Sequence, residues 1–295
     1  MTRAGVVGCG LMGTACTRRL TRAGFEVVAY DIDEGKRNAI VGAGAKVAAT
    51  IADVTKTCHV IVLAVFDTGQ VEEVIEAPGG VLEAMGQISG SRILICTSTC
   101  DPDRLAALAT RIRPRDVHLV EVPISGTSRQ VAEGEGVGLV GGDPSVADRA
   151  AAVLDAICPR RHFIGEVGSG SRAKLAVNLI LGLNRAAIAE GLVFAERLGL
   201  DRSAFLDVAR GSAAYSQVMD IKGPLMARRE YKTPQSRVDQ SLKDFRLMLA
   251  QARESGQELP FASLYAQLLE DCVRHGEAEW DNAAIVEAIA RRRRS

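Results

Sequence analysis

Ala4-Gly5-Val6-Val7 leads directly into Gly8-Cys9-Gly10-Leu11-Met12-Gly13. A helical run from Thr14 to Ala23, a closing Gly24 and the apolar run Phe25-Glu26-Val27-Val28-Ala29-Tyr30 follow, ending on Asp31. The order strand, Gly-x-Gly-x-x-Gly, helix, strand, acid is that of a dinucleotide-binding unit. Gly8 permits the tight turn, Gly10 lets the backbone approach a pyrophosphate, and Gly13 lets helix and strand pack closely. The helix-start N–H groups beside Leu11 and Met12 then face the phosphates. A glycine-rich turn alone would explain the three glycines, but not the flanking strands and the acid. Asp31 stands where a carboxylate accepts from the adenosine ribose hydroxyls and repels a 2′-phosphate, which favours NAD over NADP. Lys36 and Arg37, a few residues on, soften that preference.

Outward from this unit, apolar strand-like runs alternate with helical ones. Val60–Val65, Arg92–Cys96 and His118–Val122 read as buried strands, with a further pair at Gly136–Val140 and His162–Ile164. Helices are expected over Gly69–Met85, Asp101–Arg111 and Ser145–Ile157. The pattern describes an α/β, Rossmann-type, doubly wound and mostly parallel sheet. Beyond Gly168-Ser169-Gly170 only helical patterns remain: Ser171–Leu198, then Asp201–Ala209, Gln217–Arg228, Val238–Ser255, Leu259–His275 and Asn282–Arg293. The expected division is a nucleotide domain over 1–166 and an all-α C-terminal domain over 167–295, opened by a long helix at the junction, where ligand clefts commonly form.

The 295 residues carry 36 basic and 36 acidic side chains, so no global field points to nucleic acid. The Arg291–Arg294 run reads as a solvated helix end. No signal peptide is evident, and no uninterrupted apolar stretch reads as long enough to span a membrane. Seven scattered cysteines form no C-x-x-C pair or zinc spacing, so no metal is expected and the setting reads as cytoplasmic. His59, His118, His162 and His275 make no His-x-x-x-His pair and are assigned structural roles, which leaves a proton donor to be found elsewhere.

Three further segments bear chemistry: Glu121-Val122-Pro123-Ile124-Ser125-Gly126-Thr127 continuing to Gly141-Gly142, then Gly168-x-Gly170-x-x-x-Lys174-x-x-x-Asn178, then Leu242-Lys243-Asp244-Phe245. Lys174 lies one turn into the long helix, and Asn178 at i+4 shares its face. A lysine near a helix start gains nothing from the macrodipole, and in an enclosed cleft desolvation disfavours its charged form. It then becomes eligible for acid–base work. An isolated helix lysine is ordinarily just solvated. Ser125 and its neighbouring N–H groups suit a carboxylate, although Pro, Ser and Gly also make plain turns. Lys243 is either a cation beside the ligand or a surface lysine paired with Asp239.

Together with Val7-Gly8-Cys9-Gly10-Leu11-Met12-Gly13, these segments resemble the β-hydroxyacid dehydrogenase family, in order and over essentially the whole chain. That family includes 3-hydroxyisobutyrate dehydrogenases, tartronate semialdehyde reductases and glyoxylate/succinic semialdehyde reductases. The resemblance implies that Lys174 is the catalytic acid/base, that Asn178 holds substrate, and that Ser125, Gly126 and Thr127 receive its carboxylate. It implies cofactor contacts at Val65, Phe66 and Gln70, at Thr99 in Ser98-Thr99, and at Lys243 near the nicotinamide. Val177 replaces the first of two asparagines common in the family, Thr127 a second glycine, and Phe66 a proline, so the substrate pocket is expected to differ. A small carboxylate-bearing substrate, no nucleic-acid or membrane partner, and a homodimer or homotetramer are expected. An imine reductase-like enzyme is the alternative from another reaction class, though an acidic residue or tyrosine commonly replaces the lysine there. A non-catalytic nucleotide-binding module is the third possibility.

Overall fold

In the computed structural model, which describes residues 2–292, the apolar runs become one nine-stranded sheet. Its strands are β1 (Arg3–Val7), β2 (Glu26–Tyr30), β3 (Lys46–Val47), β4 (Val60–Leu63), β5 (Arg92–Cys96), β6 (Val117–Glu121), β7 (Ile124–Ser125), β8 (Val137–Gly141) and β9 (Arg160–Gly165). They run in the order β3-β2-β1-β4-β5-β6-β8-β7, with β9 on β8. Pairing is parallel from β3 through β6, antiparallel where β8 meets β6 and β7, and parallel again between β8 and β9.

Period-two alternation divides the central strands between two cores. Val6, Val62, Ile95 and Val120 pack with Cys16 and Leu20 of the helix Leu11–Arg22 on one face. Val7, Leu63, Leu94 and Leu119 pack with Leu105 and Leu108 of the helix Pro102–Ile112 on the other. This is a doubly wound Rossmann-type sheet, followed by helices.

Two expected helices are each broken. Gly69–Met85 becomes Thr68–Glu76 and Val81–Met85, because Pro78 holds Ala77 out of the helical region at φ −69°, ψ 161°. Ser145–Ile157 becomes Pro144–Arg149 and Ala151–Ile157. Short helices at Glu34–Ile40 and Ile51–Thr57, capped by Asp33 and Thr50, are too brief to show a full amphipathic period in the sequence.

Contacts divide the chain into residues 1–174 and 175–295, a division that falls within the helix Ser169–Arg197. The second unit adds Arg202–Arg210, Gln217–Arg228, Val238–Glu254, Pro260–Arg274 and, after a 3-10 turn at Asn282–Ala284, Ile285–Arg291. Its core gathers Leu192, Met226, Phe245, Tyr265 and Leu269, and the Phe245 and Tyr265 rings lie 4.6 Å apart. Inside it, Lys222 Nζ donates to both Asp281 carboxylate oxygens at 2.8 Å.

Ser169–Arg197 is, by length and composition alone, long and apolar enough to cross a membrane, without being an uninterrupted apolar stretch. Arg185 and Glu190 interrupt the run in sequence, yet its mean apolarity survives them. Leu175, Ile188, Ala189 and Leu192 of that helix are buried in protein. At the C-terminus, Arg291 is not simply solvated: it pairs with Asp271 and Glu277. Arg293 and Arg294 lie outside the described residues.

Candidate active site

The three fingerprint glycines have distinct surroundings. Gly8 adopts φ +95°, and a Cβ there would lie 2.5 Å from the Ala64 carbonyl oxygen. At Gly13 a Cβ would lie 1.8 Å from Gly8 O, so only glycine lets the helix sit so close to the loop. A Cβ at Gly10 would meet nothing within 4 Å. Gly10 also N-caps Leu11–Arg22 without any side-chain cap and with no acid in the first turn. The positive helix end therefore abuts open space, which fits a pyrophosphate. Leu11 is exposed beside it, whereas Met12 packs partly against the core.

Asp31 is buried, and its carboxylate already organises the loop. Oδ2 accepts from Cys9 N at 2.7 Å and Oδ1 from Asp33 N at 2.9 Å. Each oxygen retains a lone pair for a ribose hydroxyl. Arg37 donates to the carbonyls of Asp31 (2.6 Å) and Ile32 (3.1 Å), with its guanidinium 6.0 Å from the Tyr30 ring centre. It thus stays on the backbone side of this turn. Burial and the neighbouring Asp31 push the Cys9 thiol up to about 12, so it is a packing residue and no nucleophile.

The loops at the carboxyl ends of β4 and β5 are tied together. Ser98 Oγ donates to Val65 O at 2.6 Å, Thr97 Oγ1 to Leu63 O at 2.9 Å, and Asp101 N to Thr68 Oγ1 at 2.8 Å. Gln70 Oε1 accepts from Phe66 N at 2.8 Å, so the amide braces its own loop, while Asp67 caps the helix behind it. Thr99 is half-buried between these loops and the next helix.

The segment after β6 meets the start of the long helix. Lys174 is buried, and its Nζ donates to Ile124 O at 2.7 Å, the carbonyl next to Ser125. Ser125 is half-buried on β7, and Gly126 turns the chain at φ +142°. Thr127, which follows them, is buried. It caps Ser128–Ala132 in a capping box, its N–H donating to Gln130 Oε1 at 2.9 Å and its Oγ1 accepting from Gln130 N. That N–H is engaged by Gln130, while the Thr127 hydroxyl serves the cap as an acceptor and its O–H is still able to donate.

Sequence reasoning gave no role to Glu121, which is fully buried at the end of β6. Its carboxylate accepts from Gly168 N (2.5 Å), Gly170 N (2.8 Å), Ser171 N (3.0 Å) and Ser171 Oγ (2.5 Å). Burial pushes its carboxyl above the ordinary value against the pull of those donors. The only sequence signal is an acid closing an otherwise apolar strand.

In the helical unit, Asn178 Nδ2 donates to Asp244 Oδ2 at 2.9 Å. A carboxylate only accepts, so the Asn178 amide is fixed with Oδ1 turned away from Asp244. Lys243 Nζ forms an ion pair with Asp244 Oδ1 at 3.0 Å. The alternative partner Asp239 is held by Arg237, at 2.9 and 2.5 Å. Asp244, unassigned from sequence, thus joins two expected site residues. Among the described residues no cluster of three His, Cys, Asp or Glu side chains could hold a metal.

Residues 3–165 match the NAD-binding domain of 6-phosphogluconate dehydrogenase, and residues 168–289 match the NAD-binding domain described for NADP-dependent 3-hydroxyisobutyrate dehydrogenase. Glyoxylate/succinic semialdehyde reductase 1 of Arabidopsis thaliana is 30% identical over 97% of both chains. The 2-hydroxy-3-oxopropionate reductase of Escherichia coli is 28% identical over 97% of this chain and 96% of that one. A 3-hydroxyisobutyrate dehydrogenase structure from Salmonella typhimurium superposes with a TM-score of 0.88 at 24% identity, covering 97% of this chain and 99% of that one. With the glycine loop, the sheet and the helical unit all in place, the chain belongs to the β-hydroxyacid dehydrogenase family of NAD(P)-dependent oxidoreductases.

Proposed function

We propose that this protein interconverts a small β-hydroxy acid and its semialdehyde, with NAD preferred to NADP and Lys174 as the general acid/base. The observation that carries this reading is the buried Lys174 amine on Ile124 O, one residue from Ser125. A bound nicotinamide supplies or accepts the hydride. Lys174 holds the proton that a forming alkoxide takes in reduction and accepts it from the hydroxyl in oxidation. Ser125, Gly126 and the Thr127 hydroxyl receive the substrate carboxylate, the Thr127 N–H being engaged by Gln130. Asn178, its amide locked by Asp244, orients the substrate hydroxyl. Asp31 at the β2 end supports NAD, since its carboxylate would repel a 2′-phosphate.

The test is turnover of glyoxylate, succinic semialdehyde and tartronate semialdehyde with NADH and NADPH, beside a panel of imines. Reduction of tartronate semialdehyde, whose product is a β-hydroxy acid, faster with NADH, is the expected result; reduction of glyoxylate or succinic semialdehyde alone would replace that product class with an α- or γ-hydroxy acid. Tight NADH binding with no reduction of any of them would overturn it, and imine reduction alone would move the protein to another reaction class.

We propose in addition that the protein is a homo-oligomer. Ile180 and Phe194 are 61% and 63% exposed on the helix Ser169–Arg197, and Leu198, 63% exposed, follows its last residue. At 100° per residue Ile180 and Phe194 point within about 40° of each other, making an apolar face suited to a second copy. Sedimentation of the wild type and of an Ile180→Glu/Phe194→Glu variant tests this; a wild-type monomer would refute it.

A further inference from the structure

We infer that Glu121 is a positioning residue for Lys174, holding the long helix in the register that places the lysine amine beside Ser125. The segment from Glu121 to Ser125 grips that helix at two points. Glu121 takes the first-turn donors Gly168 N, Gly170 N, Ser171 N and Ser171 Oγ at 2.5–3.0 Å. Three residues on, Ile124 O takes Lys174 Nζ at 2.7 Å. A carboxylate from a strand, 47 to 50 residues distant in the chain, thus does what a helix's own N-cap residue ordinarily does.

The gripping segment is itself immobilised. Val122 N donates to Cys96 O at 2.7 Å, and Leu139 N donates to Pro123 O at 3.1 Å. The surroundings are shaped for the carboxylate: a Cβ at Gly141 would lie 2.3 Å from Glu121 Oε1, and one at Gly170 would lie 3.2 Å from Glu121 Cδ and 2.4 Å from Leu139 O. Gly168-x-Gly170 is therefore the seat of a helix start, with no room for side chains. The four donors are helix-terminal groups with no intrahelical partner, so removing their acceptor frees the first turn to shift. A shift of that turn carries Lys174 with it, and about 1 Å of misplacement can cost about 100-fold in rate.

The proposal rests on Lys174 as the acid/base, so its test reads the lysine directly as well as turnover. Glu121→Gln keeps the shape but points an amide at backbone N–H donors; Ser171→Ala removes one bond and serves if the first variant does not fold. Glu121→Gln should lower kcat about 10–100-fold and leave the KM for NADH within about two-fold. Ser171→Ala should lower kcat about 3–10-fold. In both, amidination of Lys174 by an imidoester, followed by peptide mass spectrometry across pH, should quicken at least about five-fold as the first turn loosens. Glu121→Asp, which retains the charge, should recover part of both signals. If Lys174→Ala proves fully active, the acid/base reading falls, and the amidination rates alone decide the positioning. Unchanged amidination in a folded Glu121→Gln or Ser171→Ala variant, or kcat per folded molecule equal to wild type while Lys174→Ala is inactive, would overturn the proposal.

Discussion

Lys174 Nζ and Ile124 O stand 2.7 Å apart, a hydrogen bond between a buried amine and the carbonyl that precedes Ser125. A solvated surface lysine would have no such anchor. This one is directed to the strand end where ligands bind in sheets of this kind.

Replacing Lys174 by alanine or methionine should lower kcat by about 100- to 10,000-fold, the range of general acid–base catalysis. NADH affinity, read by fluorescence titration, should stay within about three-fold, since the substitution leaves the glycine loop at Gly8, Gly10 and Gly13 untouched. Full turnover in the variant would remove the lysine from the chemistry.

Asp31→Ser should erode cofactor discrimination. Losing the carboxylate removes the repulsion of a 2′-phosphate, so the NADH/NADPH ratio of kcat/KM should fall at least about ten-fold, or about 1.4 kcal/mol. The acceptor for Cys9 N is lost with it, so the melting temperature should drop as well. An unchanged ratio would show that discrimination lies elsewhere.

Asp244→Ala should weaken substrate selection. It frees the Asn178 amide and removes the 3.0 Å partner of Lys243. An expected loss of about 1–2 kcal/mol in kcat/KM for the carbonyl acid corresponds to about 5–30-fold. Asp239→Ala, whose carboxylate serves Arg237, should leave kcat/KM unchanged.

The Lys222–Asp281 pair is a stability device. Lys222→Met would leave the buried Asp281 carboxylate without its cation, a loss of about 3–5 kcal/mol by chemical denaturation. Burial pushes the Lys222 amine down to about 8 from 10.5, so between those values the unfolded chain binds more protons than the native one. By linkage, this group's contribution is full above 10.5 and is lost as pH falls through 8. Wild-type stability relative to Lys222→Met should therefore rise from pH 8 to 10.5, and a flat difference would contradict the shift.

Much of this molecule was readable in its chain. Near-continuous apolar runs at β1, β4 and β5 and the spacing of Gly8, Gly10, Gly13 and Asp31 are local patterns, each carrying its own physics. Short elements such as β7 and Ser128–Ala132 were not readable, because two to five residues show no period. Thr127, beside Ser125-Gly126, also starts that short helix through its capping box with Gln130, in which its hydroxyl oxygen accepts and its O–H is still able to donate.

Sequence alone determined the Rossmann unit, the all-helical second half and the candidate lysine, since periodicity and glycine spacing act over a few residues. Only the tertiary structure decided the partners: Glu121 on the start of the long helix, Asp244 between Asn178 and Lys243, Ile124 O on Lys174. These bonds join residues about fifty or more positions apart, or neighbours whose geometry depends on such bonds. A buried carboxylate's choice among donors follows from packing that no local pattern encodes.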